Sequence, residues 1–258
     1  MIPWFEYVRI PLGPISIQVW GLFVVLGMLV SIYILKRQAN RFGFRAEEII
    51  DASFWMIVFG FLVARVFHVF LYEPSWYLNQ PTEILKIWHG GLSSFGGFVG
   101  AALAFGWRMY KRPAWKTQWR KVADLFSFSA VFGWMIGRIG CVMIHDHLGK
   151  PCNCFIALNH PDGPRLDMAL LEIIGLIPLA FLFIFIHTKQ KPDGWFLSIL
   201  LIYYGLLRFI LDFFRATDIA QADARYFGLT PAQYLAIVMI VVGMYEIRKL
   251  QKIRKTNS

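Results

Sequence analysis

The sequence predicts an all-α, polytopic membrane protein: seven transmembrane helices, a Gly-rich irregular or re-entrant segment, and an arm along the outer face. Three observations predict it. Hydrophobic residues fill 57% of the 258 positions and charged residues only 16%, where soluble domains run near one quarter charged. The apolar residues gather in seven runs, roughly 17–35, 50–72, 91–109, 122–142, 168–186, 194–213 and 230–247. Each is close to the ~20 residues that carry a helix across about 30 Å of hydrocarbon. The basic residues alternate between the connections. Of 26 Lys and Arg, 17 follow the first, third, fifth and seventh runs, six lie on the opposite face, and Arg65, Arg138 and Arg208 lie inside runs. The positive-inside rule then puts the N-terminus outside and the C-terminus in the cytoplasm. Residues 1–258 read as a single integral membrane domain. The net charge of +10 follows topology, so no nucleic-acid partner is expected.

Met1 to Pro14 lacks the basic, apolar and small-residue regions of a cleaved signal peptide. Trp4, Phe5 and Tyr7 suit an interfacial lead-in. The first run is apolar all round apart from Gln18, with Trp20 near its outer end. The second carries Arg65 and His68 on one helical face, read either as snorkelling toward the outer interface or as functional. The Pro- and aromatic-rich YEPSWYLNQPTEILKIWH that follows reads as the interfacial arm.

Next comes HGGLSSFGGFVG, His89 to Gly100, with five glycines in its last eleven residues, poor material for a plain helix. Non-helical backbone at membrane depth is tolerated where it lines a cavity or is buried in protein, and bare glycine N–H groups hold anionic oxygens. Gly90, Gly91, Ser93, Ser94, Gly96 and Gly97 are therefore candidate headgroup ligands. Close helix packing through small residues is the alternative for Gly97 and Gly100.

The fourth run ends in GRIGCVMIHDHLG, Gly137 to Gly149. A charge at membrane depth costs a few kcal/mol even on lenient scales, about 3 at the helix centre, so Arg138 is expected to meet an anion. Arg208 in the sixth run, with Asp212 and Arg215 beyond it, repeats the theme at the same level. Guanidinium forks bind phosphate bidentately, and in a bilayer the phosphates belong to lipids. His145, Asp146 and His147, followed by Cys152 and Cys154, match no common zinc spacing, and no metal or cofactor is expected. The outward loop favours a disulfide without choosing partners among Cys141, Cys152 and Cys154. Thr230 and Pro231 open the seventh run as N-cap and first helical residue.

Taken together, VWGLFVVLGMLVSIYILKRQANRFGF, GGLSSFGGFVG, VADLFSFSAVFGWMIGRIG and YYGLLRFILDFFRATD with LTPAQYLAI resemble the bacterial prolipoprotein diacylglyceryl transferase family over nearly the whole chain. The resemblance implies a seven-helix inner-membrane enzyme, active toward the outer leaflet. Such an enzyme moves the diacylglyceryl group of phosphatidylglycerol onto the lipobox cysteine of a preprolipoprotein. It implies catalytic roles for Arg138 and Arg208 at the lipid phosphate, a closing role for Gly149, and a supporting network of Asp124, Asp146, Glu172, Asp212 and Arg215. Arg65 and Trp20 join the substrate-binding candidates, Trp20 standing where the family has a tyrosine. Family members carry a histidine where this chain has Phe95, and asparagines at Cys141 and Ile144. His145 or His147 is accordingly expected to supply the proton acceptor, with His68 behind them and an unassisted thiolate as the remaining option. The protein is expected to act as a monomer. The alternative function is a non-catalytic anionic-phospholipid-binding or transport homologue on the same scaffold.

Overall fold

The computed structural model describes residues 1–13, 15–72, 74–86, 91–219, 222–223 and 225–256. In chain order, strands β1 (Arg9–Leu12) and β2 (Ile15–Gln18) precede helix α1 (Val19–Ala39) and helix α2 (Ala46–Phe67), which ends in one π-helical turn, His68–Tyr72. Helices α3 (Pro74–Asn79), α4 (Ser94–Lys111), α5 (Pro113–Thr117) and α6 (Trp119–Ile144) follow. Strands β3 (Leu148–Pro151), β4 (Leu158–His160) and β5 (Gly163–Asp167) lead to α7 (Met168–Ile186), α8 (Trp195–Leu211) and α9 (Pro231–Thr256).

Among the described residues, five helical stretches are long and apolar enough to cross a bilayer: Val19–Phe42, Ala46–Phe70, Trp119–Ile144, Met168–Ile186 and Trp195–Phe214. The chain is a multi-pass membrane protein. The described residues are mostly helical, as expected, with five short strands among them. They hold only three to five residues each, too few for an alternating pattern to register. The lead-in is likewise partly a hairpin, with Arg9 opposite Gln18.

The chain divides into two compact units, Met1–Ile34 with Ala123–Ser258, and Leu35–Val122. In the first, the antiparallel sheet β3–β5–β4 bridges the end of α6 to the start of α7. Asp124 near the start of α6 is buried and accepts the N–H groups of Gly194 (2.6 Å) and Leu197 (2.8 Å). It thereby caps the first turn of α8, whose donors have no partner within the helix. Thr230 and Gln233 form a capping box on α9: each side chain meets the other's N–H, at 3.0 and 3.2 Å.

In the second unit α2 lies against α4. A Cβ on Gly96 would come within 2.7 Å of the Val63 carbonyl, and one on Gly100 would collide with that of Phe59. The Gly-rich stretch from residue 94 onward is helix, and Gly96 and Gly100 serve the close approach of two backbones. The irregular part is confined, among the described residues, to 91–93. At the far end of the pair Arg108 meets Asp51 and Arg112 meets Glu48 (2.8 Å).

A branched side chain at the α2–α4 contact should separate the helices. Gly100→Val is expected to lower the melting temperature in detergent by several degrees, about what a 1–3 kcal/mol overpacking loss produces. Gly106→Ala, which would meet nothing within 4 Å, should melt like the wild type.

Candidate active site

Arg138 on α6 and Arg208 on α8 converge on one carboxylate. Glu172 of α7, 1% exposed, puts Oε2 3.0 Å from Arg138 Nη2 and 3.1 Å from Arg208 Nη1. Its other oxygen, Oε1, accepts from Trp134 Nε1 at 2.7 Å and from the Tyr204 hydroxyl at 2.8 Å. Trp134 and Tyr204 stand one helical turn before Arg138 and Arg208 respectively, so each helix presents a donor and a guanidinium on one face. A buried carboxylate needs compensation of this kind.

The network continues from Arg208. Its Nη2 lies 3.2 Å from Asp212 Oδ1, which is 4.0 Å from Arg215 Nη1. The Thr230 hydroxyl donates to Asp212 Oδ2 while accepting the Gln233 N–H, so the cap of α9 also orients the site. Arg215 Nε meets Asp223 at 2.5 Å. The backbone of Arg215 bridges Gly149 of β3. Gly149 is buried there, and a Cβ would come within 2.8 Å of Leu166 and Met168 side-chain atoms. Its place in the motif has this packing reason.

The side chain of Arg138 is 11% exposed and that of Arg208 15%. Each carries five N–H donors, and the contacts among the described residues engage two on each: Glu172 and Cys141 Sγ (3.7 Å) for Arg138, Glu172 and Asp212 for Arg208. Arg138 Nε is buried with no hydrogen-bond partner among the described residues. Both guanidiniums are therefore held in place with donors to spare.

His145 ends α6 with φ +47°, and is one of two non-glycine residues in that region among those described. Its ring is buried between Trp4 and Phe5, centroids 4.7 and 4.8 Å away. Nδ1 donates to Asp167 Oδ2 at 2.6 Å, and Asp167 Oδ1 caps α7 at the Leu170 N–H. The carboxylate partner assigns the proton to Nδ1 and leaves Nε2 as an acceptor. That nitrogen is buried with no partner among the described residues. His145 lies seven residues after Arg138, two turns along α6 and about 10 Å. His147 Nδ1 is 3.0 Å from the exposed Asp146.

Other sequence candidates lie elsewhere. Asp124 does not join the arginines: it caps the opposite end of α8, 14 residues before Arg208, about 21 Å along the helix. Arg65 is not available to a headgroup. Its guanidinium donates to the carbonyls of Ile84 (2.9 Å), Gly91 (2.8 Å) and Glu83 (2.5 Å), stapling the expected arm, now seen as α3 and a 3-10 turn, to α2. Ser93 caps α4 by accepting the Gly96 N–H at 3.3 Å, and Gly97 and Ser94 belong to the same helix. Gly90 lies outside the described residues. Trp20 backs onto Gly140, whose Cβ would sit 3.2 Å from the Trp20 Cα. Of the three cysteines, Cys152 and Cys154 form a disulfide and Cys141 is a buried thiol. On the central strand β5 Arg165 forks onto Asp218 at 2.5 and 3.0 Å, which holds that carboxyl below its usual range.

Trp134, Tyr204 and Asp167 escaped sequence reasoning, and Thr230 was read as a cap without its contact to Asp212. The first two had a usable signal, an aromatic donor four residues before each buried arginine. Asp167 had none, because its partner depends on the turn at His145.

The family model described as prolipoprotein diacylglyceryl transferase matches residues 7–248. The phosphatidylglycerol–prolipoprotein diacylglyceryl transferase of Nitrosomonas europaea is 32% identical over 251 residues, covering 94% of this chain and 88% of its own. Its namesake from Mannheimia succiniciproducens is 31% identical, with 93% and 91% covered. That of Staphylococcus saprophyticus is 27% identical, with 94% and 88% covered.

Removing Glu172 leaves two buried guanidiniums facing each other. Glu172→Ala should cost about 3–5 kcal/mol, the usual loss on breaking a buried pair, seen as a large drop in thermal stability. Glu48→Ala, at a half-exposed pair, should cost under about 1 kcal/mol. The lowered Asp218 carboxyl adds stability that is present above its unfolded value of about 3.9 and lost as pH falls through the folded one. The stability gap between wild type and Asp218→Asn, read by thermal unfolding, should be open at pH 6 and close in acid.

Proposed function

The chain belongs to the prolipoprotein diacylglyceryl transferase family, and from that premise we propose that it transfers the diacylglyceryl group of phosphatidylglycerol to the lipobox cysteine thiol of prolipoproteins. The observation that carries the mechanism is the pair of arginines held by Glu172 inside membrane-spanning helices. In the reaction a thiolate attacks the glycerol carbon that bears the phosphate. A thioether forms, the carbon–oxygen bond breaks, and glycerol phosphate leaves with the electron pair. Negative charge grows on the departing phosphate. Arg138 and Arg208 meet it with donors already oriented in a site shielded from water, where such groups lower a barrier most.

The thiol must lose its proton. His145 supports the role of acceptor: Asp167 fixes its tautomer and leaves Nε2 with a lone pair, the logic by which a carboxylate orients a catalytic imidazole. His147, beside Asp146, is the second candidate. Nothing in the step calls for a metal or cofactor.

Seven helices of 17–26 residues are present among the described residues. We read α4 and α9 as spans alongside the five apolar ones. With the N-terminus outside, the arginine ends of α6 and α8 lie toward the outer leaflet of the bacterial plasma membrane, where both lipid-borne substrates reach them laterally. A single membrane domain acting as a monomer suffices for this scheme.

The test uses purified protein, phosphatidylglycerol and a lipobox peptide, with thioether product read by mass spectrometry. Wild type should lipidate the peptide, and Arg138→Ala or Arg208→Ala should lose at least about 100-fold, the scale of one lost transition-state donor. Loss in His145→Ala but not His147→Ala, together with loss of the acid limb of the pH profile, would identify the base. Phosphatidylglycerol binding without any product from wild type would favour the lipid-binding alternative.

A further inference from the structure

The disulfide between Cys152 and Cys154 joins residues two apart. A cross-link stabilises largely by restricting the unfolded chain, and that gain shrinks with the loop it closes. A loop this short returns little. The fold also holds the turn by other means: the Cys152 N–H donates to the Pro164 carbonyl and the Cys154 carbonyl accepts the Ala157 N–H, both at 3.0 Å. Stability therefore gives the bond small reason to exist.

Placement gives it a better one. Both cysteines are half-buried, and Cys152 lines a cavity of about 190 Å³ together with Asn153, Gly163 and Arg165. Cys152 follows Gly149 by three residues, about 10 Å of extended chain, and Gly149 is the residue bridged to Arg215. Arg165 reaches the same Gly149 carbonyl at 3.4 Å. The disulfide thus borders the sheet that carries the edge of the arginine network. Exposed disulfides are the labile ones, and this one borders a cavity in a protein whose acceptor is a thiol.

We propose that Cys152 and Cys154 are a redox-active pair that exchanges with the acceptor, returning an oxidised lipobox cysteine to the thiol that diacylglyceryl transfer consumes. The proposal rests on the transfer to a cysteine thiol argued above. In the reduced pair, one cysteine thiolate attacks an acceptor cysteine held in a mixed disulfide with a small thiol. One of the two acceptor sulfurs leaves as a thiolate and takes a proton. The second cysteine attacks the resulting mixed disulfide, releases the other sulfur as a thiol and closes the Cys152–Cys154 bond. Two electrons pass from the pair to the acceptor disulfide, and a dithiol reductant restores the pair.

The experiment takes the full chain in phosphatidylglycerol nanodiscs, reduced with dithiothreitol and freed of it. The probe is a lipobox peptide whose cysteine carries thionitrobenzoate, with release followed by absorbance and peptide by mass spectrometry. Wild type should release one equivalent per protein, yield free peptide thiol, and then yield the thioether. Cys152→Ser/Cys154→Ser should slow release by about tenfold or more, the loss expected when the attacking thiolate is gone. The same variant should lipidate a free-thiol peptide as wild type does. One single variant, Cys152→Ser or Cys154→Ser, should stall as a covalent mass adduct, the trapped mixed-disulfide intermediate of the exchange. Cys141 is common to all the variants, so differences report the pair. Release by the double variant at the wild-type rate, or no adduct on either single variant, overturns the proposal. Failure of wild type to lipidate the free-thiol peptide would instead count against the transfer reaction, because exchange is read without it.

Discussion

A single buried carboxylate governs the geometry of the candidate site. Glu172 is surrounded by two guanidiniums, an indole N–H and a phenol hydroxyl, so each of its oxygens has two partners. An isolated carboxylate could not stay ionised at that depth, and two bare arginines could not lie close together there. Each makes the other tolerable. The arrangement also joins three helices, α6, α7 and α8, by contacts that have direction as well as strength. Apolar packing between helices in lipid lacks this property, because lipid tails are as apolar as the side chains. Polar contacts therefore set the relative rotation of these helices.

The same logic runs outward through helix ends. Asp167 caps α7 five residues before Glu172 and at the same time holds His145. Thr230 caps α9 and holds Asp212, which holds Arg208. Each cap uses one oxygen or hydroxyl for a backbone N–H and the other bonding capacity for a functional side chain. Secondary structure and site geometry are thus fixed by the same atoms. A change that loosens a cap must also loosen the side chain it holds.

Much of this was legible in the sequence. The long apolar runs were found because twenty consecutive apolar residues have few alternatives, and the run 168–186 coincides with α7. Arg138 and Arg208 stood out because charge inside such runs is expensive, and the N-cap at Thr230 before Pro231 was written in the residue order. What escaped has physical reasons. Arg65 looked like its two neighbours in composition, yet its donors go to carbonyls of a non-helical arm that no periodicity marks. Asp124 is one residue type with two possible partners, a helix end or an arginine, and only the fold chooses between them. The Gly-rich stretch could serve an anion or a neighbouring backbone. The close approach of α2 decided for the backbone from Gly96 onward.

The charge balance of the cluster bears on how it would act. Three arginines, 138, 208 and 215, face three carboxylates, Glu172, Asp212 and Asp223, so formal charges cancel. A cluster with a large positive excess would hold any phosphate strongly, substrate and product alike, and uniform binding does not raise the rate of the chemical step. A neutral cluster with unused N–H donors behaves differently. The phosphodiester of the lipid carries one negative charge, while the leaving glycerol phosphate gains a second as the carbon–oxygen bond breaks. Donors fixed in place by Glu172 contribute most where charge is largest, at and beyond the transition state, without needing to reorganise. In the proposed mechanism, the carboxylate that neutralises the anion site is what would make it selective for the reacting state.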